Sequence, residues 1–363
     1  MKKSIQANFL IEGTFKHAEV SFDEKIENIK IIGPKKMGLP LVIPGFIDLH
    51  VHGGGGADIM EGSTAAQTIA RTHLKHGTTS YLATTMTASH EELKKAFNGM
   101  SSSFVKKNKN ESRLLGVHLE GPFISREKLG AQPDFVREAT LAEIKELHSI
   151  VPIKTLTIAP EVFEHMQLIS ELIKMDVMVQ IGHTNGSYEE GTKALELGAK
   201  SFTHLFNAMS SFHHRTPGMV GAALAHADHA ELIPDLLHVH PGAIKTALRC
   251  IPNLYFVTDA TAATGMPDGD YKLGSHTVHK CLGGVRLKDG TLAGSALTMD
   301  RALKNLVSLG LQLEEASKRL SQIPAELIHI TDRGVIKEEA YADLLILNDD
   351  LSLKEIYSEG ELV

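Results

Sequence analysis

Apolar positions along this chain follow two rhythms. Near the start, IQANFLIEG, FKHAEVSFD and KIENIKIIG alternate apolar and polar residues and are punctuated by Gly13, Gly33 and Pro34, which predicts short strands. ADLLILNDD and LKEIYSEGELV repeat that rhythm at the far end. Neither set has enough strands to be stable alone. The two ends are therefore expected to join into one small β-sandwich domain, residues 1–45 with 335–363.

Between the ends the pattern changes. Apolar runs of strand length, namely LVIPGFIDL, TTSYLATTM, RLLGVHL, IKTLTIA, VMVQIGH, KSFTHL, ELIPDLL and NLYFVTD, are separated by amphipathic stretches such as Ala65 to His76, Leu141 to Ser149 and Tyr188 to Leu197. Repeated βα units imply a parallel sheet, and eight of them imply closure into a barrel. The predicted fold class is α/β, a (β/α)8 TIM-like barrel over 46–334. After Asp259, the stretches YKLGSHTVHK and GGVRLKDGTLAG predict a β-hairpin inserted near 270–294, before a last barrel helix from Met299 to Leu309. Residues 313 to 330 read as one further helix, and Thr331 to Gly334 as the exit loop.

Composition narrows the function. A chain of 363 residues with 42% hydrophobic content can bury a large core. A net charge of -7 leaves no basic footprint for nucleic acid, though a local pocket for a small anion is still allowed. Cys250 and Cys281 make no disulfide framework, which fits a reducing compartment. Glu12 interrupts the short N-terminal apolar run, so it does not read as a signal peptide. No apolar run approaches the ~18 residues of a membrane helix. The expectation is a cytoplasmic protein with a small-molecule partner, without membrane or nucleic acid. Neither G-x-x-x-x-G-K nor a convincing G-x-G-x-x-G is present.

The candidate chemistry lies at strand ends. In PGFIDLHVHGGGG, His50 and His52 stand two apart, so both can face one point beyond a strand. The glycines after them let the backbone turn at once. Strand three ends in His118 and Glu120, strand five in His183, strand six in His204 and strand eight in Asp259. In a barrel of this kind those ends form the active face. Histidines with carboxylates suit zinc or another borderline divalent metal. Such a metal lowers the pKa of a bound water to about 7 and polarises a carbonyl, while a nearby carboxylate, Asp259, can carry the proton to a leaving group. That set hydrolyses an amide or related C–N bond. Glu120 would be the shared ligand if two metals bind. His118 could ligate, support a ligand or pack. Strand four ends in Thr157-Ile158-Ala159-Pro160, so no lysine is placed to bridge metals as a carbamate.

Taken in order, PGFIDLHVHG, HLEGPF, GHT, THLFNAM, LHVHP, VTDA and GTLAGSALTM resemble the N-acetylglucosamine-6-phosphate deacetylase family of the amidohydrolase superfamily, across nearly the whole chain. The first motif is widely shared in the superfamily; THLFNAM with HLEGPF and LAGSALTM is far more specific. The resemblance implies metal-dependent removal of acetate from N-acetylglucosamine 6-phosphate, in amino-sugar catabolism and cell-wall recycling. It implies that Glu120, His183 and His204 hold the main metal, that His50 and His52 hold a second, and that Asp259 is general base and acid and also a metal ligand. One or two divalent metals per subunit, zinc or iron, would be the cofactor. Asn207 and Ala208 would contact the phosphate, and His238 the sugar or the carbonyl. Ala131 and Gln132 would form a substrate loop, and Leu292, Ala293 and Gly294 would line the acetyl end. Arg215 would reach the phosphate from the neighbouring subunit of a homodimer, a task suited to its planar fork of donors.

Two stretches depart from the family pattern. Leu236 stands where a glycine is usual, which bears on the sugar pocket. Glu338 to Asp343 replaces a glycine-aspartate turn in the β-domain. The competing functions are a deacetylase for N-acetylgalactosamine 6-phosphate, a cyclic-amide hydrolase on the same scaffold, and a metal-stabilised sugar-binding protein without catalysis.

Overall fold

The strand that opens the barrel, Phe46–Val51, is buried along its whole length, and so is its neighbour Thr78–Thr85. Strands covered on both faces read as continuous apolar runs, which is what parallel sheets require. The computed structural model describes residues 3–62 and 64–363. Six parallel strands follow one another around the sheet: Phe46–Val51, Thr78–Thr85, Arg113–Glu120, Ile153–Ile158, Met178–Ile181 and Ser201–Phe202. His229–Leu232 and Asn253–Phe256 add a parallel pair. Leu205 N donates to Glu231 O at 2.9 Å, linking strand six to strand seven, and Asp259 N donates to His50 O at 3.0 Å, linking strand eight to strand one. The barrel is closed by these bonds. Helices such as Ala65–Leu74, His90–Val105 and Tyr188–Glu196 cover its outside, the last two starting with serine–glutamate capping boxes at Ser89 and Ser187.

Both chain ends form one seven-stranded sheet, in the order 361–362, 353–358, 344–347, 41–44, 3–11, 14–22, 26–34. Glu12 and Gly13, both at positive φ (50° and 75°), make the two-residue turn between its first two strands. The sheet rolls over on itself: the rings of Phe22 and Tyr357, four strands apart in that order, meet edge to face at 5.3 Å. Alternation sorts its residues into two cores. Leu344 and Ile346 enter the small core with Phe9, Val20 and Phe22, whereas Leu345 and Leu347 face the barrel with Leu10, Phe15 and Ile43.

Four elements differ from the sequence expectation. The KSFTHL strand is only Ser201–Phe202, because the backbone turns left-handed at His204 (φ 30°). Strand seven is His229–Leu232 rather than ELIPDLL: Pro234 has no N–H for a ladder, and Leu236 is left-handed (φ 67°). The 313–330 helix is two, Leu313–Leu320 and Gln322–Leu327, broken at Ser321; Pro324 is tolerated in the first turn of the second but would disrupt a continuous one. The inserted hairpin is a four-stranded antiparallel meander, Gly269–Leu273, His276–Cys281, Gly284–Arg286 and Leu292–Ser295. Its last strand is tied to strand eight through Ser295 N to Asp259 O at 2.7 Å.

An ion cluster joins the terminal sheet to the barrel. Glu359 accepts from Arg113 at 2.8 and 3.0 Å and from Arg333, whose other nitrogen reaches Asp343 at 2.6 Å. Burial alone would raise the Glu359 carboxyl, but its hydrogen bonds to Arg113 and the charges of Arg333 and Lys107 outweigh that and hold it at about 2. A carboxyl depressed in the folded state stabilises above its ordinary value of about 4.5, and that contribution disappears as pH falls toward 2. Glu359→Gln should therefore lose roughly 2–3 kcal/mol of stability at neutral pH. Urea unfolding from pH 7 to pH 2 should show the gap between variant and parent closing below pH 4.5; a constant gap would contradict this assignment.

Candidate metal centre and active site

Strand one delivers His50 and His52 to the C-terminal mouth of the barrel, where both are buried. Strand three delivers Glu120. His183, His204 and Asp259 lie just past their strands, each at positive φ (46°, 30° and 51°). Left-handed backbone is unfavourable for such side chains and clusters at sites where function requires it. Here it turns the chain at the strand end so that each side chain points back to the barrel axis.

The four imidazole rings meet around the Glu120 carboxylate, and Asp259 closes one side. Glu120 Oε1 lies 3.1 Å from His183 Nε2 and 3.0 Å from His204 Nε2, and these two nitrogens are 3.1 Å apart. Glu120 Oε2 faces a second group: it is 3.1 Å from His52 Nε2 and 3.5 Å from His50 Nε2. His50 Nε2 and His52 Nε2 are 3.1 Å apart, and Asp259 Oδ1 lies 3.4 and 3.3 Å from them. Metal–ligand bonds of about 2.0–2.1 Å place tetrahedral ligands roughly 3.3–3.4 Å apart. Both groups have edges close to that length, and Glu120 contributes one oxygen to each. The donor set, imidazole nitrogen with carboxylate oxygen, suits zinc or iron(II).

The rings are oriented for this. His50 Nδ1 donates to Glu231 Oε1 at 2.7 Å, His52 Nδ1 to Thr84 O at 3.0 Å and His183 Nδ1 to Lys128 O at 2.7 Å. With Nδ1 carrying the proton, each Nε2 lone pair faces the centre. Burial disfavours charge on His50 and His52, but the surrounding carboxylates outweigh it: His50 is held well above its ordinary range and His52 is pushed up to about 9. For Glu120 and Asp259, burial is likewise outweighed by His50 and the other rings, and both are held below the usual carboxylate range. The site attracts cations, whether protons or metal ions. His118 lies beneath, edge to face with His50 at 4.6 Å and bonded to Thr157 Oγ1 at 2.7 Å. Burial, together with the charge of His50, brings His118 down to about 3, so it is neutral.

A cavity of about 230 Å³ opens over this centre. His52, Glu120, Ala131, Gln132, His183, His204, Asn207, Ala208, His238, Asp259, Leu292 and Gly294 all line it. Ala293 does not: in the strand Leu292–Ser295 it faces the opposite way, into a small core with Met86, Leu273 and Val278. Arg215 does not line the cavity of its own chain; it is exposed on a loop and bonded to His214 Nε2 at 2.9 Å. Gln132 is tied down, donating to Glu120 Oε2 at 2.7 Å while accepting from Thr87 N at 2.7 Å. Sequence reasoning overlooked Glu231 and Asp235. Asp235 grips His238 Nδ1 at 2.6 Å and accepts from the amides of Leu237 and His238 at 2.9 Å. The signal for Glu231 was a charged residue at an inward position of strand seven, obscured by reading that strand too far along.

The Amidohydrolase family model matches residues 41–363. The chain belongs to the amidohydrolase family and is a hydrolase. The curated relatives that it matches include sugar-phosphate deacetylases. It is 39% identical to the N-acetylglucosamine-6-phosphate deacetylase of Lysinibacillus sphaericus over 329 residues, covering 88% of this chain and 85% of the relative. It is 34% identical to the N-acetylgalactosamine-6-phosphate deacetylase of Escherichia coli O157:H7 over 330 residues, 89% of this chain and 87% of that one. The crystal structure of N-acetylglucosamine-6-phosphate deacetylase from Pasteurella multocida superposes with a TM-score of 0.92 at 30% identity, covering 100% of both chains.

Gly294 supplies a direct test of the cavity wall. Its φ is +57°, and a Cβ there would lie 2.6 Å from Thr261 Cγ2 and 2.9 Å from Asp259 O. Gly294→Ala should displace Asp259 and reduce kcat/KM at least ~100-fold, while the melting temperature falls only a few degrees. Activity within twofold of the parent would show that Asp259 needs no such close fit.

Proposed function

We propose that this protein hydrolyses the acetamide of N-acetylglucosamine 6-phosphate to glucosamine 6-phosphate and acetate. The observation that carries this reading is the Glu120 carboxylate, with one oxygen toward His183 and His204 and the other toward His50 and His52, beside a cavity bordered by Asp259. The curated relatives' activities support the substrate class.

Glu120, His183 and His204 would hold the main divalent cation, and His50 and His52 with Asp259 a second. When bound, such a cation would polarise the amide carbonyl and acidify the attacking water. The remaining work falls to the chain. Asp259, held ionised by the rings around it, accepts the proton of the attacking water and delivers it to the departing amine. Atoms balance: water adds across the C–N bond, the acyl carbon takes the oxygen and the nitrogen takes the proton. His238, fixed by Asp235, presents Nε2 to the bound sugar or to its amide oxygen. Asn207 and Ala208, in the turn after His204, line the cavity and receive the phosphate. Leu292 and Gly294 form the wall beside Asp259, where the acetyl methyl fits.

A dimer supplies the cation for that phosphate. Arg215 lies on an exposed loop beside Phe212, 59% exposed, and an apolar groove lined by Phe206, Phe212, Val220, Leu224 and Ala243. A second copy seated on that groove would cover the apolar surface and carry Arg215 to the neighbouring cavity. The galactosamine epimer is the second reading, favoured by the 34% identical relative that acts on it.

Acetate release should be measured on both epimers. Turnover of the glucosamine substrate, with at least ~100-fold loss in Asp259→Asn, is the expected result; no acetate from either epimer by metal-loaded protein would refute the proposal. Mixing Asp259→Asn with Arg215→Ala protein should restore roughly a quarter of parental activity, since one of two sites in each mixed dimer is intact. No recovery after subunit exchange would mean that Arg215 acts within its own chain or not at all.

A further inference from the structure

Beneath the metal centre, in the barrel interior, Glu231 is completely buried. Its Oε1 accepts from two sources: His50 Nδ1 at 2.7 Å and the backbone N of His204 at 3.0 Å. Its Oε2 accepts from Gln180 Nε2 at 3.4 Å and lies 3.3 Å from the Tyr255 hydroxyl, which itself donates to Gln180 Oε1 at 2.7 Å. A backbone amide can only donate, so Glu231 serves there as an acceptor. One oxygen thus ties a ring of one ligand group to the main chain of the other.

The partners of the other rings make Glu231 distinctive. His52 and His183 donate Nδ1 to neutral backbone carbonyls, of Thr84 and Lys128. Only His50, among these rings, is backed by a carboxylate. Three carboxylates, Glu120, Asp259 and Glu231, are therefore buried around the four rings. A buried carboxylate is unfavourable unless it is paired and hydrogen-bonded, and Glu231, placed directly under His50, is bonded both to that ring and to the main chain at His204.

We infer that Glu231 is the positioning residue that makes the His50–His52 half of the centre hold a cation. This rests on the metal-centre reading above. Glu231 touches no substrate. It acts through His50 by fixing the Nδ1–H tautomer and raising the basicity of Nε2, and it ties that ring to the main chain at His204.

The test is elemental analysis of purified holoprotein after challenge with graded chelator, for the parent, Glu231→Gln and Glu231→Asp. The Gln variant keeps the shape and an oxygen for both donors but removes the charge. The parent should retain two equivalents. Glu231→Gln should release one of them at ~10–100-fold lower chelator while the other stays bound, and Glu231→Asp should fall between. A merely structural role would loosen both equivalents together and lower the melting temperature of chelator-treated protein. The inference is overturned if Glu231→Gln keeps two equivalents with affinity within twofold of the parent, if both loosen alike, or if the parent itself holds one. Should Glu231→Gln fail to fold, Glu231→Asp, whose shorter side chain draws the carboxylate back from His50, should still loosen one equivalent and not the other; both loosening alike, or neither, would overturn the inference. A parent that binds no metal at all would instead refute the metal-centre reading.

Discussion

Everything at the mouth of this barrel depends on the Glu120 carboxylate being shared. Its two oxygens point to different pairs of imidazoles, at 3.0–3.1 Å on one side and 3.1–3.5 Å on the other. No single strand could supply that arrangement. It needs side chains from strands one, three, five, six and eight, and parallel closure brings those ends together. The hydrogen bond from Asp259 N to His50 O at 3.0 Å is thus part of the site as much as of the barrel.

The surrounding structure holds the arrangement in place. Left-handed backbone at His183, His204 and Asp259 is unfavourable in isolation, but the burial of the neighbouring strands over-determines it. Gln132 clamps one oxygen of Glu120 and also accepts the amide of Thr87, so the loop carrying it is fixed to two strand ends. Asp48, pushed up to about 7 by burial despite its bonds to Thr258, pins strand one to strand eight from below. The last strand of the meander then places Gly294 against Asp259, where no larger residue fits.

Much of this was legible along the chain. His50 and His52 face one point because strand periodicity is two, and glycines follow where the backbone must turn. The barrel followed from repeated βα units, since their strands are covered on both faces. Other parts were not legible. Glu231 sits in a four-residue strand whose end Pro234 marks, and reading through that proline hid the inward-facing carboxylate. Ala293 was grouped with its neighbours as pocket lining, yet strand alternation turns it away. Gln132 faces Glu120 only because a loop folds back across 12 positions of sequence, and no local pattern encodes that. The break at Ser321 was foreshadowed by Pro324 but masked by an amphipathic pattern that continues through it.

The central claim is that one carboxylate serves two cations. Anomalous diffraction from crystals grown with zinc tests it most directly. The account predicts two peaks per chain, one on each side of Glu120, separated by about 3.5–4 Å. A single peak bound by both Glu120 oxygens, or two peaks that do not share Glu120, would contradict it.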